Sequence, residues 1–406
     1  MRILMVLNEE FPPDHRVEKE ADSLIGAGHQ IVLLCYTTRR DLPLQEDYKG
    51  LQVKRFRMNY TLRNKLNALF LVVPFYRWIW KKHIEQIIRK DDIDAIHIHD
   101  LPLSDVGLQM KKKYGIPLIC DQHEYYSNWI VQNAHLNTFT GKVVKWLSPW
   151  KRYERKYLNQ ADLVITIEEP LREAYIQQVG VDPEKLIKIP NTPPQSFAEI
   201  PSNPKILERY KDHFVLFYLG NIDVLRGVDV AIEALPEMIQ YIPNIKLVLA
   251  GRTWKGSDPM GRAQKLGVSS YLDFAGWLSV DQIPSYIRAS DICFHIPPVL
   301  REENDRTVAT KIYQYLIIGK PILVAQQKME KELVEQFEVG MAIRENDVQD
   351  FAQKVIQIYQ DQSMREQFEN NCRQVSHRFV WENTVVPLID AYHRIEENRL
   401  VKNLSE

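Results

Sequence analysis

The chain of 406 residues has only four cysteines, Cys35, Cys120, Cys293 and Cys372. No two form a C-x-x-C pair, and the first three lie in apolar, strand-like runs. That pattern argues against a structural zinc site and reads as a reducing compartment. Glycine is missing from Met1 through Ile25. The first strand-to-helix turn therefore lacks the G-x-G-x-x-G fingerprint of a dinucleotide site. No unbroken apolar run reaches the roughly 20 residues that cross a bilayer. The net charge is -1, so nothing global draws the chain to nucleic acid. Its opening residues, "MRILMVLNEEF", read as too short and too acidic on their far side for a signal peptide. The expected location is the cytoplasm, peripheral on the inner face of the plasma membrane at most.

What is present is an ordinary globular composition, 45% hydrophobic and 26% charged. A single core seldom grows past roughly 250–300 residues, so two domains are the expectation. Short apolar strands alternate with longer helical patterns. The strands are "RILMVL" (2–7), "QIVLLCY", "IDAIHIH" (93–99), "IPLICDQH" (116–123) and "ADLVITI" (161–167). After "LIKIPN", the proline-rich stretch 192–204 reads as a linker. The alternation restarts with "FVLFYLGN" (214–221), a helix from about 227, "IKLVLAG", "YLDFAGW", "DICFHI" and "PILVA". Runs with crossover helices predict an α/β fold of two doubly wound, Rossmann-like domains. Ligands in such sheets bind beyond the carboxyl ends of the strands, so two such domains would face each other across a cleft.

The residues just past the strands carry the chemistry. Asp14, His15 and Arg16 open the first helix, where Asp14 either caps it or contacts a ligand. His99-Asp100 and Asp121-Gln122-His123-Glu124 end two further strands, while His97 sits inside its strand and reads as structural. No H-x-x-x-H or H-E-x-x-H spacing supports a metal site. In the second half, Gly220 permits close backbone approach, and Arg226 precedes a helix N-terminus, a natural phosphate site. "AGRTWKG" and "AGWLS" end strands whose backbone could hold a flat base. In "TVATKIYQYLIIGKPILVA", Thr307, Lys311 and Gln314 fall at helical spacing on one polar side of an apolar helix.

Taken in order, these pieces resemble the retaining glycosyltransferases of family four, with GT-B architecture. The segments "DHRVEKEADSLIGAGHQIVLL", "IHIHDLPL", "PLICDQHEYYS", "LGNIDVLRGVDVAIEAL", "LDFAGWLSVDQIPSYIRASDICF" and "TKIYQYLIIGKPILVA" carry the likeness across nearly the whole chain. The resemblance implies an acceptor-binding domain at 1–195, a nucleotide-sugar domain at 205–380, and a helical end, 381–406, returning toward the first domain. It implies transfer of a sugar to an acceptor hydroxyl with retention, in building a cell-surface polysaccharide or glycolipid. The UDP- or GDP-linked donor is a substrate, and neither cofactor nor metal is implied.

By the same resemblance, His123 is the catalytic histidine. Gly220, Asn221, Arg226, Gly251, Trp277, Leu278, Glu303, Thr307, Lys311 and Gln314 face the donor. Asp14, Arg16, His99, Asp100 and Glu124 line the acceptor side. One departure stands out. The family's E-x7-E acids are replaced by Arg306 and Gln314, with Glu302, Glu303 and Asp305 nearby on the preceding loop. This keeps two alternatives open, a non-catalytic scaffold or regulatory subunit and a nucleotide-sugar epimerase.

Two segments mix aromatic and basic residues. Stretch 140–158 holds Trp146, Trp150, Tyr153 and Tyr157 among six Lys and Arg, and is expected to meet an anionic membrane surface carrying a glycan or lipid-linked acceptor. Stretch 66–83, with Trp78 and Trp80 beside Lys81 and Lys82, reads more readily as a packed helix with solvated lysines.

Overall fold

The computed structural model describes residues 1–59, 74–123, 125–127, 150–223, 226–254, 256–298 and 306–405. The chain divides into two compact units, Met1–Asn191 with Val385–Glu406, and Thr192–Thr384.

The first unit is built on β1 (Arg2–Glu10), β2 (Gln30–Thr37), β3 (Gln45–Tyr48), β4 (Leu51–Arg57), β5 (Ala95–His99), β6 (Leu118–Gln122), β7 (Leu163–Thr166) and β8 (Leu186–Lys188). They form one sheet in the order β3-β4-β2-β1-β5-β6-β7-β8. All neighbours are parallel except the β3–β4 hairpin. That hairpin was not expected from the sequence, because "QEDY" and "LQVKRFR" are too polar to read as buried strand. The central strands are covered on both faces, which is why they read as continuous apolar runs.

Helix α1 (His15–Gly26) follows β1, and α2 (Phe75–Lys90) and α3 (Ser104–Tyr114) flank β5 in the chain. Next comes α4 (Trp150–Leu158). Asp14 settles as the cap of α1, accepting from the Arg16 and Val17 amides at 3.1 Å each.

The second unit holds β9 (Phe214–Leu219), β10 (Ile245–Ala250), β11 (Leu272–Gly276), β12 (Ile292–His295), β13 (Ile322–Val324) and β14 (Gly340–Ala342). They form an all-parallel sheet in the order β11-β10-β9-β12-β13-β14. β14 is only three residues long and gave no periodic signal. The helices that position the site are α5 (Val228–Tyr241), α6 (Thr310–Ile318) and α7 (Lys328–Gln336).

Two expectations need correction. Helix α6 starts at Thr310, so Thr307 lies before it rather than on its polar face. The 192–204 stretch is not a free linker. Phe197 is buried in the second unit's core, and the Trp381 amide donates to Pro193 O at 2.8 Å. The last helix, α8 (Val386–Ser405), belongs to the first unit. There Tyr392 is buried and its hydroxyl lies 2.9 Å from His97 Nδ1.

Candidate active site

In the first unit, the strand exits are closed by a buried ionic network. Arg16 reaches from the first turn of α1 to Asp121 at the end of β6. Its Nε donates to Oδ2 at 3.2 Å and its Nη2 to Oδ1 at 3.0 Å. Nη2 also lies 2.9 Å from Glu20 Oε1, one helical turn along, and Nη1 donates to Ile189 O at 3.0 Å. Such a two-pronged pair suits the planar guanidinium. His99 sits on the same carboxylate, with Nδ1 3.3 Å from Asp121 Oδ2.

His123 bridges two acids. Nε2 bonds Asp121, and Nδ1 lies 3.5 Å from Asp100 Oδ1. Burial opposes its charge, but Asp121 and then Asp100 outweigh burial and push the pKa up to about 9. His123 is therefore an imidazolium at neutral pH, with both ring nitrogens facing carboxylates. Asp121 is held well below the ordinary carboxylate range, since Arg16 and His123 overcome its burial. Glu20 goes the other way. Burial and the Asp121 charge raise it to about 7, against the pull of Arg16.

Asp100 stands at φ 64, just past the strand, and its backbone amide donates to Asp121 O at 2.9 Å. Arg16 and His99 are buried. Expected on the acceptor side, they bond Asp121 from within the unit and shape the wall behind Asp100 and His123. Glu20, His97, His99 and Asp121 also bring ligand-type atoms within 4.8 Å of one another. Arg16 pairs with both acids of that set, so a guanidinium already supplies the cation there. Glu124 lies outside the described residues.

In the second unit, Gly220 and Gly251 follow the adjacent strands β9 and β10. Their φ values are +141° and +142°, where L side chains are strained. A Cβ on Gly220 would stand 2.6 Å from Lys311 Nζ, and one on Gly251 would strike Gly220 O at 1.9 Å. The glycines thus let α6 bring Lys311 against the strand exit. Lys311 Nζ lies 4.8 Å from the centre of the Tyr218 ring. Arg226 is exposed just before α5. Burial first, and the Arg226 charge second, lower the Lys311 pKa to about 7. Neither cation has a carboxylate within 4.0 Å among the described residues.

Sequence reasoning missed the acid behind this pair. Glu330, on the first turn of α7, is buried. It accepts from the Ala309 amide at 3.0 Å and lies 2.9 Å from His295 Nδ1. Its position shortly after the apolar run of β13 was the available signal. Gln314 is half-buried one turn along α6 from Lys311. Asn221 is exposed, Leu278 is buried, and Trp277, 67% exposed, carries the Arg252 guanidinium 4.5 Å above its ring. Glu302, Glu303 and Asp305 lie outside the described residues.

Comparison with known proteins matches this arrangement on both halves. The family described as "Glycosyl transferases group 1" matches residues 199–375, and "Glycosyltransferase Family 4" matches residues 16–192. The chain belongs to the group 1 glycosyltransferases, and its fold is GT-B. The glycosyltransferase is 21% identical to the D-inositol 3-phosphate glycosyltransferase of Acidothermus cellulolyticus, over 93% of this chain and 84% of that one. It is 20% identical to the phosphatidyl-myo-inositol mannosyltransferase of Mycolicibacterium smegmatis, over 77% of this chain and 74% of its relative. Among solved structures, sucrose-phosphate synthase from Thermosynechococcus elongatus superposes with a TM-score of 0.75 at 16% identity, covering 98% and 99% of the two chains. Anabaena HepE in complex with UDP gives 0.70 at 16% identity, covering 97% and 100%.

Proposed function

We propose that this glycosyltransferase takes its sugar from a UDP- or GDP-linked donor bound by the second unit. The observation that carries this is the pair Lys311 and Arg226. Lys311 stands at the glycine-lined strand exit and Arg226 beside the N-terminus of α5, and neither forms an ion pair among the described residues, although the Glu330 charge reaches Lys311. That is a site for a diphosphate. Holding two like charges together costs free energy that an anion would recover. Trp277 and Arg252, at the ends of β11 and β10, offer a flat surface for the base.

The reaction follows from what each group can do. The bond from the anomeric carbon to the diphosphate oxygen breaks, and the electron pair leaves with the diphosphate. Lys311 and Arg226 stabilise that developing charge in place of a metal. The acceptor hydroxyl forms the new bond, and its proton passes to the leaving phosphate. Departure and attack on one face retain the configuration. His123 does not take the proton, because it is already charged and its nitrogens face Asp121 and Asp100. Its role is a fixed positive charge on the acceptor-binding unit. Asp100 and Asp14 lie on the acceptor side. The acceptor class is a glycan or lipid-linked glycan, and the setting is cytoplasmic synthesis of cell-surface polysaccharide or glycolipid.

Calorimetry against a panel of nucleoside diphosphates tests the donor reading. We expect one of them to bind, and binding by none would sink it.

A further inference from the structure

We propose that Glu330 is a positioning residue for the cation site. It fixes the start of α6, which carries Lys311, against the exit of β12, and it supplies the negative charge that favours the lysine's ammonium form. This deepens the donor reading and rests on it for the ligand that Lys311 meets.

The exit of β12 is where the pieces join. Gly227, next to Arg226, passes so close that a Cβ there would stand 1.9 Å from Ile296 O. Gln327, at the N-cap of α7, donates through Nε2 to Pro297 O. Just before them in the strand, His295 Nδ1 lies 3.0 and 2.9 Å from the two oxygens of Glu330. Burial lowers the His295 pKa against the pull of Glu330, and the Lys311 and Arg226 charges lower it further. The neutral ring therefore donates Nδ1–H to the carboxylate. Its Nε2 is buried without a hydrogen bond among the described residues, so the ring is held from one side.

The same carboxylate reaches α6. Ala309 is the N-cap of α6 and has no side-chain acceptor for the helix's first amides. Glu330 Oε1 accepts from the Ala309 amide at 3.0 Å, and Lys311 stands two residues on. Glu330 is also in the first turn of α7, so the positive ends of two helix dipoles meet at one acid. The titratable groups around Lys311 are Tyr218 from β9, Arg226 ahead of α5, His295 from β12 and Glu330 from α7. Arg226 disfavours the lysine's charge, and Glu330 is the described group that favours it. Arg306 and Gln314, standing where the resemblance expects acids, bring no negative charge of their own.

Two measurements on the full chain test the proposal. The 13Cε resonance of Lys311, assigned by its absence from Lys311→Met, follows the lysine's titration in the free protein. Calorimetry with UDP and GDP across the same pH range follows the site. Glu330→Gln keeps an acceptor for the Ala309 amide but removes the charge. We expect it to lower the Lys311 midpoint by about one unit. Diphosphate binding should then weaken about tenfold near pH 8 and change little near pH 5.5, where the lysine is charged in both proteins. Glu330→Asp, which keeps the charge, should recover most of the midpoint. Glu332→Gln, exposed on the same helix, should move neither readout. Circular dichroism follows the fold. If Glu330→Gln unfolds, Lys311→Met/Glu330→Gln should recover the fold, and an equally unfolded double variant overturns the proposal. A Lys311 midpoint unmoved by Glu330→Gln, or an affinity loss equal at every pH, overturns it as well. A wild type that binds no nucleoside diphosphate sinks the donor reading instead, and the lysine titration still decides the role of Glu330.

Discussion

The two units end their sheets in opposite electrostatic states. In the first, the charged groups of the buried network at the ends of β5 and β6 are paired with one another. Arg16 answers Asp121 and Glu20, and His123 answers Asp121 and Asp100. In the second, Lys311 and Arg226 lie near each other with no ion pair among the described residues, and Glu330 acts on Lys311 only from a distance. Glu330, the nearest buried carboxylate, is turned to His295 and the Ala309 amide. A closed network gives stiffness and shape, and an open one gives affinity. The same fold thus supplies a closed ionic network in one half and, on the reading proposed above, an anion site in the other.

The contrast breaks most clearly at Arg16. Arg16→Met leaves Asp121 and Glu20 buried without their cation, and should cost about 3–5 kcal/mol of stability. Urea unfolding checks this, and adding Glu20→Gln should recover part of the loss. At the open site the effect moves from stability to ligand. Lys311→Met and Arg226→Ala should each weaken nucleoside diphosphate binding by about 1.5–3 kcal/mol, read by calorimetry, with little change in urea unfolding. Large destabilisation there would mean that the pair is structural.

Acidity sharpens the comparison. Both His123 and Glu20 have folded pKa values raised above their unfolded ones, to about 9 and about 7. Their stabilisation is complete below the unfolded values and is lost as pH rises through the folded ones. The first unit should therefore lose about 1–3 kcal/mol or more as pH rises from about 4.5, where Glu20 begins to ionise in the unfolded chain, to about 9, where folded His123 loses its proton, and Asp121→Asn should flatten that slope. In the second unit, Lys311 at about 7 is only partly charged at neutrality in the free protein, so diphosphate binding above that pH must draw a proton onto it. Diphosphate affinity should fall as pH rises past 7, and Lys311→Met should abolish the dependence. The smallest effect is expected from Gln314→Glu. If Gln314 meets the ribose hydroxyls, a carboxylate should tighten binding by about 1 kcal/mol. Abolished binding would place Gln314 against a different group.

Much of this was legible beforehand. Apolar runs marked the buried parallel strands, and the polar residues after them marked Lys311, Arg226 and His123. Composition hid the β3–β4 hairpin, because the edge strand β3, "QEDY", is polar and β4, "LQVKRFR", is rich in charge. Periodicity could not show β14, which is too short to have a period. Glu330 was missed because it is 19 residues beyond Lys311 in the chain, and only the return of β13 and α7 brings it close.

The sequence by itself determined the two α/β halves, because burial on both faces of a parallel strand demands an apolar run. It also determined which strand exits carry cations, histidines and acids. Tertiary structure decided what those groups do. Arg16 and Asp121 are far apart in the chain, and only the parallel register of β1, β5 and β6 turns them into a buried pair. Asp121, with Asp100, makes His123 a cation against the opposing charge of Arg16. Packing likewise decided that Trp150 faces the core and Trp78 the solvent, although both lie in basic aromatic segments. Composition records that a ring and a charge are neighbours, but which side of the helix meets the sheet is settled only when the core closes.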